Sequence, residues 1–171
     1  MSARPDPIPA PDPRLPAWRA FVEAHARVSR RLDDELREEH QLSLPEYDAL
    51  LQLANATDGR LRMNVLADRV LLSRSGVTRL IDRLVADGLV ERTACTTDGR
   101  GAEAMLTAEG LARLHDAAPT HLRGIRRYFL ETVRPEDLQA IERSLGAVAR
   151  GACDEPIRHE GVGRCREPAD A

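Results

Sequence analysis

The sequence predicts a mainly α-helical protein with a small β wing. Three observations support this fold class. Apolar residues recur at helical spacing through most of the chain, and a short helix meets a second, amphipathic helix at a tight break near Leu71. Two strand-like segments, joined by a polar loop that contains glycine, then follow directly. A helix-turn-helix followed by a hairpin is a winged helix, and long helices are predicted on both sides of it.

The bulk composition is consistent with one domain that carries tails. The chain has 171 residues, of which 42% are hydrophobic but only 3% aromatic, so its core must consist of Leu, Val, Ala and Ile. No apolar run approaches the length of a membrane span and no signal peptide is recognisable, so we expect a cytoplasmic protein without a membrane partner.

The charge distribution is more informative than the net charge of −3. Between Arg60 and Arg100, eight arginines and five acidic residues give a local net charge of +3. A basic segment within a mildly acidic chain is compatible with binding to nucleic acid.

The N-terminal 16 residues are rich in proline and are predicted to be a disordered arm. A long helix is expected from Trp18 to His40, and a second begins near Ser43, with Pro45 in its first turn. Asp58-Gly59 indicates a turn, and the following residues 61–63 form a short strand that pairs with a later one.

The central stretch predicts a helix-turn-helix. A first helix spans about 64–70, the break lies at Leu71 and Leu72, and Ser73 is the N-cap of the second helix. The second helix has one apolar face, formed by Val77, Leu80, Ile81, Leu84 and Val85. The other face carries hydroxyls and arginines, with one carboxylate: Arg74, Ser75, Thr78, Arg79, Asp82 and Arg83.

That polar face suits the major groove of double-stranded DNA. Arginine can bond guanine O6 and N7 together, and serine or threonine can bond either base type. The positive end of the helix dipole would also face phosphate. The predicted DNA-binding residues of this helix are Ser73, Arg74, Ser75, Thr78, Arg79 and Arg83. The alternative is an ordinary amphipathic helix whose charged face is solvated.

The predicted wing supplies a second contact. Gly88 ends the recognition helix, and strands at 89–93 and 102–106 enclose a loop in which Arg100 can enter a minor groove. We expect Asp98 to bond Arg92 or a loop N–H and so to direct Arg100. The alternative is that all three are solvated charges, because exposed ion pairs contribute about 0–1 kcal/mol.

Two helices are predicted after the wing. One runs from Ala108 to about Thr132 with a kink at Pro119, and the last begins with Pro135 at its first position. From Gly151 onward a disordered tail is expected. The terminal helices carry more apolar surface than a small winged helix can bury, which predicts a homodimer.

These motifs together resemble the MarR (multiple antibiotic resistance regulator) family, over about Trp18 to Val148. The resemblance rests on the segments 66–69, 73–84 and 88–92, on Asp98-Gly99-Arg100 and on Leu106-Thr107-x-x-Gly110. It implies a domain over 17–150, with a winged helix-turn-helix at about 45–106 and dimerisation helices at about 17–40 and 108–150. It also implies that the protein is a homodimer that binds a near-palindromic operator, usually as a repressor. A small aromatic or phenolic effector would release it from the DNA.

Two positions depart from the family pattern. The wing often reads Asp-Arg-Arg in the family, and here it reads Asp98-Gly99-Arg100, which removes one phosphate or groove contact. Leu71 replaces a glycine that is common at the break between the two helices, so the angle of that break is left open.

Several residues outside the helix-turn-helix have both a functional and a plain structural interpretation. Cys95 is interpreted as an inert residue at the end of a strand, with a redox-responsive regulator as the alternative. Glu39, His40 and His115 are candidates for a metal site, but no metal or cofactor is predicted. Trp18, His25 and Tyr47 could line an effector pocket, but plain packing is the preferred interpretation for Trp18 and Tyr47.

Two further classes of protein compete with a DNA-binding regulator. A winged helix that contacts only other proteins should expose an apolar or acidic recognition helix, and Arg74, Arg79 and Arg83 argue against that. An enzyme is not indicated, because the sequence has no glycine-rich phosphate loop, nucleophile motif or metal-ligand spacing, and no catalytic residue is predicted.

Overall fold

The computed structural model describes residues 12–94 and 102–154. Six helices and three short strands follow one another in these ranges, and they confirm the predicted fold class. The elements are α1 (Leu15–His40), α2 (Leu44–Ala54), β1 (Arg60–Arg62), α3 (Met63–Arg69), α4 (Arg74–Ala86), β2 (Val90–Ala94), β3 (Ala102–Leu106), α5 (Ala108–Ile125) and α6 (Pro135–Asp154).

The strands form one antiparallel sheet in the order β1-β3-β2. β3 lies in the middle, with Leu61 opposite Ala104 on one side and Arg92 opposite Ala104 on the other. The expected pairing of the short strand before the helix-turn-helix with a later strand is therefore confirmed. The sheet connects the start of the helix-turn-helix to the base of the wing.

Local capping explains where the central helices begin. The Ser43 hydroxyl accepts a bond from the Glu46 N–H, and the Glu46 carboxylate accepts one from the Ser43 N–H, so α2 starts with a capping box. The Ser73 hydroxyl accepts a bond from the Gly76 N–H and caps α4, as predicted. Thr107 caps α5 in the same way.

The core lies beneath the helix-turn-helix and consists almost wholly of aliphatic side chains. Val77, Leu80, Ile81 and Leu84 of α4 are each at most 1% exposed, which confirms the predicted apolar face apart from Val85. They join buried residues of the other elements: Leu36, Leu42, Leu50, Leu53, Leu66, Leu89, Val90 and Leu114. The core thereby holds α4 with its polar face outward.

Two glycines allow backbones to approach closely. A Cβ on Gly110, at the start of α5, would lie 2.0 Å from the Leu89 carbonyl oxygen. A Cβ on Gly124 would lie 2.5 Å from Cδ2 of Leu32, where α5 packs against α1. A larger residue at Gly110 would force the backbone to shift, whereas at Gly124 the Leu32 side chain would have to move.

The helix boundaries differ from the expectations in three places. α1 begins at Leu15, and α6 continues through Gly151 to Asp154, so both terminal helices are longer than predicted. The helix expected to run to about Thr132 ends as an α-helix at Ile125, where the backbone changes to a π-helical turn at Arg126–Leu130, and Pro119 lies inside α5, so the kink expected there stays a prediction. None of the described helices has the combination of length and apolar character needed to cross a membrane.

Trp18 is not covered within the single chain, so the packing expected for it stays a prediction. Its side chain is 61% exposed in the chain and lies near Phe21, with ring centroids 5.9 Å apart. On α1, only Leu32 and Leu36 are buried. The N-terminal half of this helix therefore projects beyond the core.

Candidate nucleic-acid interface

The recognition helix α4 presents its predicted polar residues to solvent. All six proposed DNA-binding positions are exposed: Ser73, Arg74, Ser75, Thr78, Arg79 and Arg83. The helix is amphipathic over its whole length, and its buried face fixes the rotation about its axis. The arrangement thus exposes one continuous hydrophilic surface that begins at the helix N-terminus.

The arginines of this surface fall into two classes. Arg83 donates from Nε to Oε1 of Glu46 at 2.9 Å and is therefore tied to α2. Within the described part of the chain, Arg74 and Arg79 form no ion pair. Their guanidinium groups are thus available for an anionic partner, with no internal contact to exchange.

The hydroxyls of α4 are partly committed to the helix itself. The Thr78 hydroxyl donates to the Arg74 carbonyl oxygen at 2.9 Å, which leaves its oxygen free to act as an acceptor on an exposed side chain. The Ser73 hydroxyl is the N-cap and lies 3.2 Å from the Ser75 hydroxyl. Thr78 is therefore suited to accept from a base amino group or to contact a thymine methyl.

The base of the wing is attached to the recognition helix by an ion pair. Arg92 of β2 contacts Oδ1 of Asp82 on α4 at 2.9 Å. The pair partly neutralises the only carboxylate on the polar face, and it gives Arg92 a partner other than the expected Asp98. Asp98, Arg100 and Cys95 lie outside the described residues, so the predicted roles of these three stay predictions.

The break before α4 has a defined geometry. Leu71 has a φ of 54°, in the left-handed region, and the Leu72 N–H donates to the Ala67 carbonyl oxygen at 3.2 Å. This pattern is the Schellman ending of a helix, which usually has glycine at the left-handed position. Leu71 takes up the conformation that glycine would, and its side chain is 85% exposed.

The predicted metal candidates have other partners. His40 bonds the Thr120 hydroxyl at 2.9 Å, and Glu39 accepts from Arg123 at 2.8 Å, so both residues connect α1 to α5. His115 lies exposed on α5. In the ranges that the structure covers, no three His, Cys, Asp or Glu residues come together as metal ligands.

Sequence reasoning missed the contact between Tyr47 and His121. Their rings lie 4.4 Å apart between α2 and α5, and Tyr47 is only 4% exposed, which supports packing as its role. Burial lowers the pKa of His121 although Asp48 is nearby, and burial raises the pKa of Asp48. Tyr47 belonged to the apolar positions expected for α2, but nothing in the spacing of α5 singled out His121, so the contact between the two rings could not be predicted.

Comparisons with known proteins agree with this geometry. Residues 40–101 match the sequence model described as the MarR family. The HTH-type transcriptional repressor YetL of Bacillus subtilis is 34% identical over 105 residues, which cover 61% of this chain and 62% of YetL. The chain thus spans about three fifths of the length of that relative.

Two crystal structures from Streptomyces coelicolor are similar over most of the chain. AbsC, a MarR family transcriptional regulator, is 30% identical, with a TM-score of 0.79 over 87% of this chain and all of AbsC. Sco3205, a MarR family transcriptional regulator solved in complex with DNA, is 29% identical, with a TM-score of 0.80 over 90% of this chain and 97% of Sco3205.

Proposed function

The chain belongs to the MarR family, and from this we propose that it is a transcriptional repressor that binds a near-palindromic operator as a homodimer. The observation that carries the proposal is the exposed face of α4, where two arginines without ion pairs in the described ranges accompany three hydroxyls. YetL is named as a repressor, and Sco3205 has been solved with DNA, which supports the same role here.

The proposed dimer follows the symmetry of such an operator. A two-fold axis would place the two α4 helices about 34 Å apart, so that they enter successive major grooves on one side of the duplex. The proposed base or phosphate contacts on α4 are Ser73, Arg74, Ser75, Thr78 and Arg79. Arg83 was predicted with them, but its Nε donates to Glu46, so it is not included among these contacts. In the wing, Arg100 would reach the adjacent minor groove, directed by Asp98.

Release from DNA by a small aromatic or phenolic molecule is part of the proposal, as the family resemblance implies. A hydroxybenzoate series added to the preformed DNA complex would test it. Loss of the shifted band at a concentration that leaves the dimer intact is expected. No response to any member of the series would contradict a phenolic effector and leave the DNA-binding role unaffected.

Binding to the DNA upstream of its own gene tests the central claim. We expect a gel shift there that unrelated DNA does not compete away. Arg79→Ala should weaken this binding by about 1–3 kcal/mol and relax the sequence preference, because a base contact is lost. Equal loss on operator and random DNA would identify Arg79 as a phosphate contact instead.

The wing residues can be tested in the same assay. Arg100→Ala should reduce affinity and lower the slope of log K against log salt by about one unit. Asp98→Ala removes a negative charge, so simple electrostatics predicts tighter binding, whereas a directing role predicts weaker binding. A tighter Asp98→Ala complex would rule out the directing role.

A winged helix that contacts only protein is the second candidate. The exposed surface of α4 is neither apolar nor acidic, and Asp82, its one carboxylate, is paired with Arg92. The structure therefore favours an anionic partner over an apolar one.

A further inference from the structure

Arg83 differs from the other arginines of α4 because it faces a neighbouring helix. Its Nε donates to Glu46 Oε1 at 2.9 Å across 37 residues of sequence. The Glu46 side chain is only 12% exposed, whereas the Arg83 side chain is 58% exposed. The carboxylate is thus the fixed member of the pair, and the arginine reaches it from the surface.

Glu46 is held in place by the backbone of α2. Its second carboxylate oxygen, Oε2, accepts from the Ser43 N–H at 2.9 Å, and the Ser43 hydroxyl accepts from the Glu46 N–H at 3.3 Å. One oxygen therefore serves the capping box and the other serves Arg83. As a result, any change in the direction of the α2 N-terminus would move the Glu46 carboxylate, to which α4 is attached through Arg83.

The same N-terminus is attached to α1. The Leu44 N–H donates to Asp33 Oδ1 at 2.7 Å, and the other oxygen of Asp33 accepts from Arg37 at 2.7 Å. Asp33 lies in α1 between Leu32 and Leu36, the residues with which that helix packs into the fold. Polar contacts on either side of the backbone of residues 43–46 therefore connect α1 through the start of α2 to the last turn of α4.

The protonation state of Glu46 suits this arrangement. Burial raises the pKa of its carboxyl group, but the hydrogen bonds from the Ser43 N–H and from Arg83 outweigh burial and bring the pKa below its usual value. Glu46 is therefore ionised at neutral pH. Removing the partner of a buried, ionised carboxylate costs free energy. The conformation in which Arg83 contacts Glu46 is therefore favoured over one in which Arg83 points away from it.

We propose that Arg83 is a positioning residue. Its contact with Glu46 fixes the angle of the recognition helix relative to α2, and the contact between Asp33 and α2 fixes α2 relative to α1. The inference rests on the proposed function, since it concerns how α4 is presented to DNA. Movement of α1 relative to α2 would reach α4 through these contacts. The contrasting role for Arg83 is a direct phosphate contact, which its exposure also permits.

The salt dependence of binding separates the two roles. A phosphate contact releases a counterion, so its loss lowers the slope of log K against log salt by about one unit. A positioning residue that is lost lowers affinity and leaves the slope unchanged. Arg83→Ala, Glu46→Gln and the double variant would be titrated with operator DNA at several salt concentrations.

The two variants should not be additive. Glu46→Gln removes a charge that repels DNA, yet we expect it to weaken binding, and Arg83→Ala should do the same, each by about three- to tenfold. The double variant should bind DNA as tightly as the single variant that has the lower affinity, because both substitutions break the same contact between Arg83 and Glu46. Glu38→Gln is the matched control, since it removes an exposed carboxylate of α1 and should leave affinity unchanged or slightly increased.

Hydrogen exchange without DNA gives a second measurement that does not depend on operator binding. The amides in the last turns of α4 should exchange faster in Arg83→Ala and in Glu46→Gln than in the natural protein or in Glu38→Gln. Failure of the natural protein to bind DNA would refute the proposed function, while this exchange experiment would still test the attachment of α4.

Three results would overturn the inference. They are a salt slope reduced by about one unit in Arg83→Ala, unchanged or tighter DNA binding by Glu46→Gln, and unchanged exchange in α4 for both variants. If Glu46→Gln does not fold, Arg83→Ala alone decides between the two roles, because its salt slope and its α4 exchange are both measurable.

Discussion

Leu71 carries backbone strain that a glycine would not. The left-handed conformation costs an L-residue about 1–2 kcal/mol, and Leu71 has a φ of 54° with a side chain that is 85% exposed. Gly88 occupies the same position at the end of α4, with a φ of 72°. The two helix endings therefore have the same geometry, one with a suitable residue and one without.

We predict that Leu71→Gly stabilises the protein by about 0.5–1 kcal/mol in thermal or urea unfolding. Relief of the strain should exceed the extra entropy that glycine gives the unfolded chain. Leu71→Ala is the control, because alanine removes the same exposed side chain and keeps the strain, so its stability should be nearly unchanged. A less stable Leu71→Gly variant would show that the exposed side chain has a role that the single chain does not reveal.

The pKa of Glu46 predicts how stability depends on pH. Because its pKa is lowered in the folded state, the folded protein resists protonation of this group more than the unfolded chain does. The resulting stabilisation is complete above the usual glutamate pKa of about 4.3 and is lost as the pH falls below it. Between pH 7 and pH 3, the free energy of unfolding measured in urea should decrease less for Glu46→Gln than for the natural protein. Equal decreases in this free energy would contradict the prediction.

At the scale of elements, Gly110 determines how closely the start of α5 approaches the backbone at Leu89, just before β2. A Cβ at this position would lie 2.0 Å from the Leu89 carbonyl oxygen and 2.8 Å from a methyl carbon of Leu106. The Leu89 carbonyl also accepts the Thr107 N–H at 3.2 Å, so it cannot move away freely. This contact gives a physical reason for glycine in the Leu106-Thr107-x-x-Gly110 motif.

We predict that Gly110→Ala destabilises the protein by about 3 kcal/mol, since the added methyl group forces a backbone shift. Gly151→Ala in α6 is the matched control, because a Cβ there meets no atom within 4 Å and alanine favours the helix by about 0.5–1 kcal/mol. Thermal unfolding of both variants is the measurement. Equal melting temperatures for Gly110→Ala and the natural protein would contradict the packing argument.

At the scale of the whole molecule, the terminal helices expose apolar surface that one chain leaves uncovered. Trp18 is 61% exposed and Val148 58% exposed, and none of the residues 135–152 is buried. Exposed apolar side chains on two long terminal helices indicate an interface. A second copy of the chain is the simplest partner for both helices at once.

Sedimentation at micromolar concentration should therefore give a dimer. Val148→Glu should shift the equilibrium toward monomer, because it buries a charge in the expected interface. Leu71→Glu is the control, since it adds the same charge to an exposed leucine outside the terminal helices. A monomeric natural protein, or a Val148→Glu variant as dimeric as the control, would contradict this assignment.

The order and type of the elements were determined by the sequence, because the interactions that define them are local. The Ser73 hydroxyl caps α4 by accepting the N–H of Gly76, three residues along the chain. Gly88 ends the helix in a left-handed conformation that glycine adopts without strain. The period of the apolar residues then specified the buried face of α4, whereas Trp18 of α1, Leu122 of α5 and Val148 of α6 are more than half exposed in the single chain. The fold class and the exposed arginines of α4 followed from these features alone.

Only the tertiary structure decided which partner each exposed or half-buried side chain meets. Arg83 and Glu46 are 37 residues apart, and Asp82 meets Arg92 across the base of the wing, so both contacts depend on how separate elements are placed. The periodicity of a helix indicates the direction in which a side chain points from the axis of that helix. It does not indicate where the neighbouring helix lies. The sequence thus determined a winged helix with a basic recognition face, and the packing of α2 against α4 decided which arginines remain available to DNA.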